Sequence, residues 1–249
     1  MKSLIIIPAY NEKENIEVLI QKIININPHP TRSGSPLPHR GEGNLSFDIL
    51  VIEDNSPDGT GHILDSSQKS YKQLAVIHRP EKLGLGTAYI QGFKYALDRG
   101  YDYIFTMDAD FSHNPDYLQG FLSELKKSDL VIGSRYIPQG GVLGWPWRRK
   151  LLSRFGNFYA KTATGIGIND WTSGFTGIRR EAIESLPMDE IKSEGYGFLI
   201  ELKYRIKKKG FGVKEVPIIF VDRIAGRSKI SRNIIFEAMV LVWKLRLKI

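Results

Sequence analysis

The feature that most limits what this chain can fold into is an alternation of two periodicities. Short, largely apolar runs of strand length (Ser3–Pro8, Asp48–Glu53, Leu74–His78, Tyr103–Met107 and Leu130–Gly133) alternate with segments whose apolar residues recur at helical spacing. Ile16, Leu19, Ile20, Ile23 and Ile24 fall on one helix face, behind an Asn11–Glu14 stretch that resembles a capping box. Further helical patterns cover Thr87–Leu97 and Asp116–Lys126. This order predicts an α/β fold with a mainly parallel sheet and helices on both faces. Such sheets bind ligands beyond the carboxyl ends of their strands. Three polar clusters sit there: Pro8–Glu12, Glu53–Thr60 and Asp108–Ser112.

Beyond Arg135 the pattern turns helical, over Leu151–Thr164, Glu181–Leu186 and Tyr196–Lys208, with one strand, Val213–Phe220, before a last helix. With 249 residues, the chain suits one large domain, or one domain with an extension. The segment Asn27–Asn44 breaks the alternation with four prolines and three glycines, and reads as a surface insertion. No run reaches about 18 uninterrupted apolar residues, so no membrane span is expected. Ile234–Ile249 comes nearest, interrupted by Glu237, Lys244, Arg246 and Lys248. It suits either a helix packed on the core or an amphipathic helix on a membrane surface.

The chemistry is bounded by what is missing. Cysteine is absent, which excludes disulfides, thiolate metal sites and cysteine nucleophiles. The five histidines have no metal-ligand spacing, and no Gly-x-Ser-x-Gly or Gly-x-x-x-x-Gly-Lys-Ser/Thr motif occurs. Gly84-Leu85-Gly86 precedes a helix and could cradle an anion, but Tyr89 stands where a dinucleotide fingerprint wants its third glycine. The net charge of +8 favours anionic partners without choosing among nucleic acid, lipid and phosphorylated substrate. Stacking aromatics interleaved with cations are confined to Trp145–Lys150, so nucleic acid is not expected.

The strand-end clusters are more specific. Asp108-Ala109-Asp110 follows the apolar run Tyr103–Met107, and reads either as a solvated turn or as two hard-oxygen ligands for one Mg2+ or Mn2+ beside a diphosphate. Asp54 suits either a helix cap or an acceptor of hydrogen bonds from a base or ribose, while Asp58 reads as structural. Arg135, Arg149, Arg223 and Lys229 read either as solvated surface charge or as ligands for phosphate.

These clusters, taken in order, resemble the polyprenol-phosphate mannosyltransferases, the dolichol-phosphate mannose synthase group of glycosyltransferase family two. The motifs are Ile7-Pro8-Ala9-Tyr10-Asn11-Glu12, Glu53–Thr60, Leu83–Tyr89, Met107–His113, Gly133-Ser134-Arg135-Tyr136 and Asp222–Lys229. Glu53 departs from the aspartate the family often carries there. The resemblance implies a Rossmann-like glycosyltransferase A-type fold, with a catalytic domain over 1–230 that includes the 27–44 insertion and a C-terminal amphipathic helix over 231–249. It implies mannose transfer, with inversion, from GDP-mannose to a polyprenyl phosphate in the membrane. Transfer of glucose or another sugar to undecaprenyl phosphate is the alternative.

By motif position, Pro8, Tyr10, Glu12, Ile52 and Asp54 are expected to hold guanosine, and Asp108 and Asp110 the metal, with the Ala109 backbone against the donor. Arg135, Arg223 and Lys229 are expected at the donor or acceptor phosphates. Arg149 and Ser153 match a helical acceptor-phosphate pair, since residues i and i+4 share a face. Asp110, Arg135, Arg149 and Ser153 are the residues expected to act in catalysis. Some relatives carry C-terminal membrane helices, whereas no span is expected in this sequence, so a cytoplasmic enzyme held peripherally at the membrane, with room for a separate anchoring partner, is the expectation.

Overall fold

A computed structural model describes residues 1–26, 47–222 and 232–247, the last segment with side chains from Met239 onward. The first half runs β1 (Ser3–Ala9), α1 (Ile16–Ile26), β2 (Phe47–Glu53), α2 (Thr60–Ser70), β3 (Leu74–His78), α3 (Leu85–Asp98), β4 (Tyr103–Thr106), α4 (Leu118–Leu125) and β5 (Leu130–Ser134). The second half runs β6 (Gly141–Leu143), α5 (Trp147–Thr164), β7 (Thr176–Arg179), α6 (Arg180–Glu184), α7 (Gly195–Lys208), β8 (Val213–Pro217), β9 (Ile219–Val221) and α8 (Arg232–Leu247).

Seven strands form one sheet in the order β3-β2-β1-β4-β7-β5-β8. All its pairings are parallel except those of β7, which runs antiparallel to β4 and β5. The apolar runs are continuous because both faces of the sheet are covered. Leu4, Ile6, Leu50 and Ile52 point into a core shared with α3, α5 and α7; Ile5, Ile7, Ile49 and Val51 point into the opposite core, with α1, α2 and α4. The α/β, mainly parallel architecture expected from the alternation is the one observed.

Three local expectations give way to tertiary contacts. The Asn11–Glu14 stretch meets α1 through its main chain, with Glu12 O accepting the amides of Asn15 and Ile16. Asn11 has φ 57°, and the amides of Asn11, Glu12 and Lys13 donate to Ser56 Oγ, Thr60 Oγ1 and Asp58 Oδ2. The strand expected over Val213–Phe220 breaks after Pro217, which has no N–H to continue a ladder. The remainder, β9, pairs with β6 in a separate two-stranded sheet. Finally, β7 carries no strand signature because its centre is Gly177, where a Cβ would lie 2.9 Å from Leu125 and 3.0 Å from Phe105.

The antiparallel β7 brings the loop that precedes it to the same edge as the carboxyl ends of β1, β2, β4 and β5. The insertion 27–44, Arg223 and Lys229 lie outside the described residues.

α3 lies close on β1 through Gly92, where an added Cβ would meet Ile6 Cγ2 at 2.6 Å. Gly92→Ala gains about 1 kcal/mol of helix propensity and loses about 1–3 kcal/mol to overpacking. The expected outcome is a lower urea midpoint at unchanged slope. A higher midpoint would mean that α3 moves off the sheet freely.

Candidate active site

The strand ends form a continuous polar edge. On the β1–β2–β3 side, Glu53 is buried and its carboxylate accepts the amides of Asn55 (3.1 Å) and Ser56 (2.6 Å). Glu53 therefore ties the turn after β2, and the longer side chain at this position serves the backbone. Asp54 points the other way, into a buried pair with Arg79 at the end of β3. Arg79 also donates to Thr87 Oγ1 (2.7 Å) and Gly84 O (3.0 Å), and so joins the Asp54 turn to the start of α3. Asp58 accepts from Thr60 N, Thr60 Oγ1 and Lys13 N, the structural role expected of it.

Tyr10 stands at the β1 end with Lys82 Nζ 4.5 Å from its ring centroid. Pro8 is half-buried and registers with Ile52, whose side chain is wholly inside the core; a nucleoside at this edge would meet only the main chain of Ile52. Glu12 accepts the amides of Asn15 and Ile16 through its carbonyl and holds Asn15 Nδ2 with its carboxylate. Gly84–Gly86 is a packing joint instead of an anion cradle: a Cβ on Gly86 would meet Ser193 O at 2.7 Å, and Glu194 faces Gly84.

At the centre of the edge, Asp108 and Asp110 leave β4 on a tight turn in which Phe111 has φ 60°. Asp110 is buried, and its Oδ1 accepts from the amide and hydroxyl of Ser112. Asp108 is about one-third exposed (34 %). Its amide donates to Nδ1 of His113, which fixes His113 as the Nε2–H tautomer. Gly174 lets the chain before β7 approach: a Cβ there would sit 3.4 Å from Asp108 Oδ1. Tyr89 is wholly buried, and among the described residues its hydroxyl has no hydrogen-bond partner. Burial, then the charges of Asp108 and Asp110, hold the Tyr89 phenol well above its ordinary value.

Two carboxylates with an orphaned buried hydroxyl in their field suit a hard divalent cation such as Mg2+ or Mn2+, with its remaining positions taken by phosphate oxygens. Among the described residues no third His, Cys, Asp or Glu joins them. Ala109 is buried, so its part in such a site is limited to the backbone expected of it.

On the β5 side, Arg135 is buried and forks onto Asp170, with Nε to Oδ2 and Nη2 to Oδ1 at 2.7 Å each. The Arg135 amide also donates to Asp170 Oδ2, and Nη2 to Thr172 Oγ1. Nη1 makes no hydrogen bond among the described residues. The guanidinium carbon stands 5.3–5.5 Å from the rings of Tyr136, Trp145 and Phe220. Arg149 stacks on the same indole at 3.9 Å and pairs with Asp222 at 2.9 Å. Ser153, one turn on, accepts from Tyr136 Oη at 2.7 Å.

Arg135, Arg149 and Ser153 thus come together, and they form the polar end of a cavity of about 190 Å³. The rest of its wall is largely apolar, from Leu152, Phe155, Tyr159, Ile200 and Val242 among others, on α5, α7 and α8. The two halves of the site meet at Phe220, whose ring contacts both His113 (5.7 Å) and Arg135 (5.3 Å).

Sequence reasoning missed Arg79, Asp170, Asn157 and Lys203. Arg79 had a signal, a cation directly after a strand end beside the Asp54 strand. Asp170 and Asn157 had none, since neither ends a strand nor belongs to a motif.

A family model for glycosyl transferase family 2 matches residues 4–186. A polyprenol monophosphomannose synthase of Mycolicibacterium smegmatis is 41% identical over 249 residues, covering 98% of this chain and 88% of that protein. An undecaprenyl-phosphate mannosyltransferase of Micrococcus luteus is 38% identical over 242 residues, covering 97% and 93%. Among solved structures, a glucosyl-3-phosphoglycerate synthase from Mycobacterium tuberculosis in complex with Mg2+ and UDP superposes with a TM-score of 0.67 at 18% identity, covering 98% of this chain and 79% of that one. The same enzyme with Mn2+, UDP and phosphoglyceric acid gives 0.66 at 19% identity, covering 99% and 78%. At that identity the likeness shows the shared fold alone.

The two histidines at this edge shift in opposite directions. Burial pulls the His78 imidazole down, but its bonds to Glu53 (3.2 Å) and Asp65 (2.9 Å) outweigh this and raise it. Burial lowers His113 in spite of the nearby Asp108 and Asp110 charges. A raised folded-state value means that the contribution of His78 to stability is complete below its unfolded value near 6.5 and is lost as pH rises through the folded value. NMR titration is expected to give His78 a midpoint above 6.5 and His113 one below it. His78→Gln should remove that part of the stability loss on the alkaline side. Coincident midpoints for the two rings would contradict the geometry.

Proposed function

This chain belongs to glycosyltransferase family 2, and we propose that it transfers mannose from GDP-mannose to a polyprenyl phosphate, with inversion, giving a β-linked polyprenyl-phosphate mannose. The observation that carries the reading is the cavity of α5, α7 and α8: apolar along its length, it ends where two guanidinium groups share the Trp145 indole. Each guanidinium already has a carboxylate partner, Asp170 or Asp222, yet both stand at the polar part of the wall, and an anion tethered to a hydrocarbon chain matches both the cations and the apolar lining of such a cavity. The mannosyltransferase relatives, named for polyprenol and undecaprenyl-phosphate substrates, support the same acceptor class.

In this reading the nucleoside lies against Pro8, Tyr10, Glu12, the Ile52 backbone and Asp54. Asp54 arrives held by Arg79, so its free edge is oriented before the base binds. Asp108 and Asp110 would hold Mg2+ or Mn2+, which would supply Lewis-acid stabilisation for the leaving diphosphate. The acceptor phosphate is anionic near neutral pH and needs no general base. One of its oxygens forms the bond to the anomeric carbon. The bond from that carbon to the β-phosphate oxygen breaks, and its electron pair leaves with GDP. Arg135 through Nη1, Arg149 and Ser153 orient the attacking phosphate. Arg223 and Lys229 complete the phosphate contacts by motif position.

The same helix that ends the cavity offers a bilayer contact. On α5, Trp147, Leu151 and Phe158 are each more than 60 % exposed, flanked by Arg148, Lys150 and Arg154. Val240, Trp243 and Leu247 of α8 are also exposed, while Val242 is buried against the core. Among the described residues no helix is long and apolar enough to cross a membrane. An apolar face ringed by cations suits the surface of an anionic leaflet, where the acceptor resides.

Asp110→Asn is expected to slow turnover by about a hundredfold or more, and EDTA to abolish it, with Mg2+ or Mn2+ restoring it. A panel of nucleotide sugars with a short-chain polyprenyl phosphate reads the donor; turnover with UDP-glucose and none with GDP-mannose would overturn that part. Leu151→Glu with Phe158→Glu is expected to weaken binding to anionic vesicles by about tenfold or more, since each loses an apolar contact worth about 1 kcal/mol or more. Unchanged flotation of the double variant would remove α5 from the membrane contact.

A further inference from the structure

Segment 169–174, before β7, is neither helix nor strand, yet it is largely buried. Its backbone must find partners away from water, and side chains of three elements supply them. Asn157 Oδ1 on α5 accepts the amides of Trp171 (2.7 Å) and Thr172 (3.2 Å). Glu215 on β8 accepts those of Asn169 (3.0 Å) and Asp170 (2.9 Å). Lys203 on α7 donates from Nζ to the carbonyls of Trp171 and Ser173, at 2.7 Å each. The segment in turn supplies Asp170 and Thr172 to Arg135, and Gly174 to the back of Asp108.

Lys203 is the costly member of this set. It is wholly buried and forms no salt bridge among the described residues. The charged groups around it are Asp170, Arg135 and Glu215, and burial, the largest influence, pushes its ammonium down to about 7. A neutral amine keeps two N–H bonds, the number of carbonyls it meets. An apolar side chain of similar length would avoid burying the amine but leave both carbonyls without a donor. What only a donor supplies here is a grip on the two carbonyls that flank Thr172, the residue whose hydroxyl takes Arg135 Nη2.

We propose that Lys203 is a positioning residue for the acceptor: by holding the Trp171 and Ser173 carbonyls it fixes segment 169–174, and so the angle at which Asp170 and Thr172 present the Arg135 guanidinium to the apolar cavity. This rests on the reading of Arg135 as a ligand of the acceptor phosphate.

The test compares Lys203→Met, which keeps length and removes both hydrogen bonds, with Lys203→Gln, which keeps a donor. Steady-state constants for GDP-mannose and a short-chain polyprenyl phosphate are measured with the full chain, together with GDP affinity by calorimetry. The expected result is an acceptor KM raised about tenfold or more in the Met variant and less in the Gln variant, with donor KM and GDP affinity within about twofold of the parent. A lysine that only stabilises the fold would lower the active fraction, hence kcat, and leave both KM values unchanged; that result overturns the proposal. So do an equal rise in both KM values, no change in either, or failure of both variants to fold. Arg135→Lys is the control: an unchanged acceptor KM there overturns the reading of Arg135. A raised acceptor KM there, with neither Lys203 variant affected, overturns only the role given to Lys203.

Discussion

Arg135 is a guanidinium almost wholly withdrawn from water, and much of the site is arranged around that fact. An unpaired buried cation costs several kcal/mol, and Asp170 offsets this with a two-pronged contact plus a bond to the Arg135 amide. Asp170 is itself wholly buried and needs a rigid segment to carry it. That segment has no ladder of its own, so Asn157, Lys203 and Glu215 close its hydrogen bonds from three directions. The other end of the edge repeats the device on a smaller scale, with Arg79 fixing Asp54 and tying it to α3. Buried ion pairs thus stand on both sides of the acidic turn at Asp108–Asp110 along the edge.

α5 links this polar edge to the apolar part of the molecule. Its first turns carry Arg149 and Ser153 on the cavity side; Trp147, Leu151 and Phe158 project to the outside. Its last turn is held by α8, where Arg246 Nη1 donates to Ala163 O at 2.7 Å. One helix thus carries cations, lines an apolar cavity and exposes an apolar face.

Much of this was legible along the chain. The strand runs, both sheet faces buried, and the clusters at the ends of β1, β2 and β4 follow from periodicity and from polar residues directly after apolar strands. That Arg149 and Ser153 share a helix face follows from their spacing, while their selection as a pair came from the family resemblance. The conformation of the turn before α1 was not legible, because the amides of Asn11, Glu12 and Lys13 find acceptors in Ser56, Thr60 and Asp58, more than forty residues away. β7 was hidden by Gly177, a residue that weakens a strand by propensity and is required here by Phe105 and Leu125.

What the sequence by itself determined is the class of fold, the edge at which chemistry gathers, and the residue types there: acidic after β4, basic around α5. These depend on local periodicity and on charge type, which a chain carries in any conformation. What only the tertiary structure decided is which charges are spent on one another. Asp54 is held by Arg79, Arg135 by Asp170, and Lys203 is buried against carbonyls instead of being solvated on α7. An ion pair or a buried donor is a property of distance and desolvation, and neither exists until remote segments are brought together.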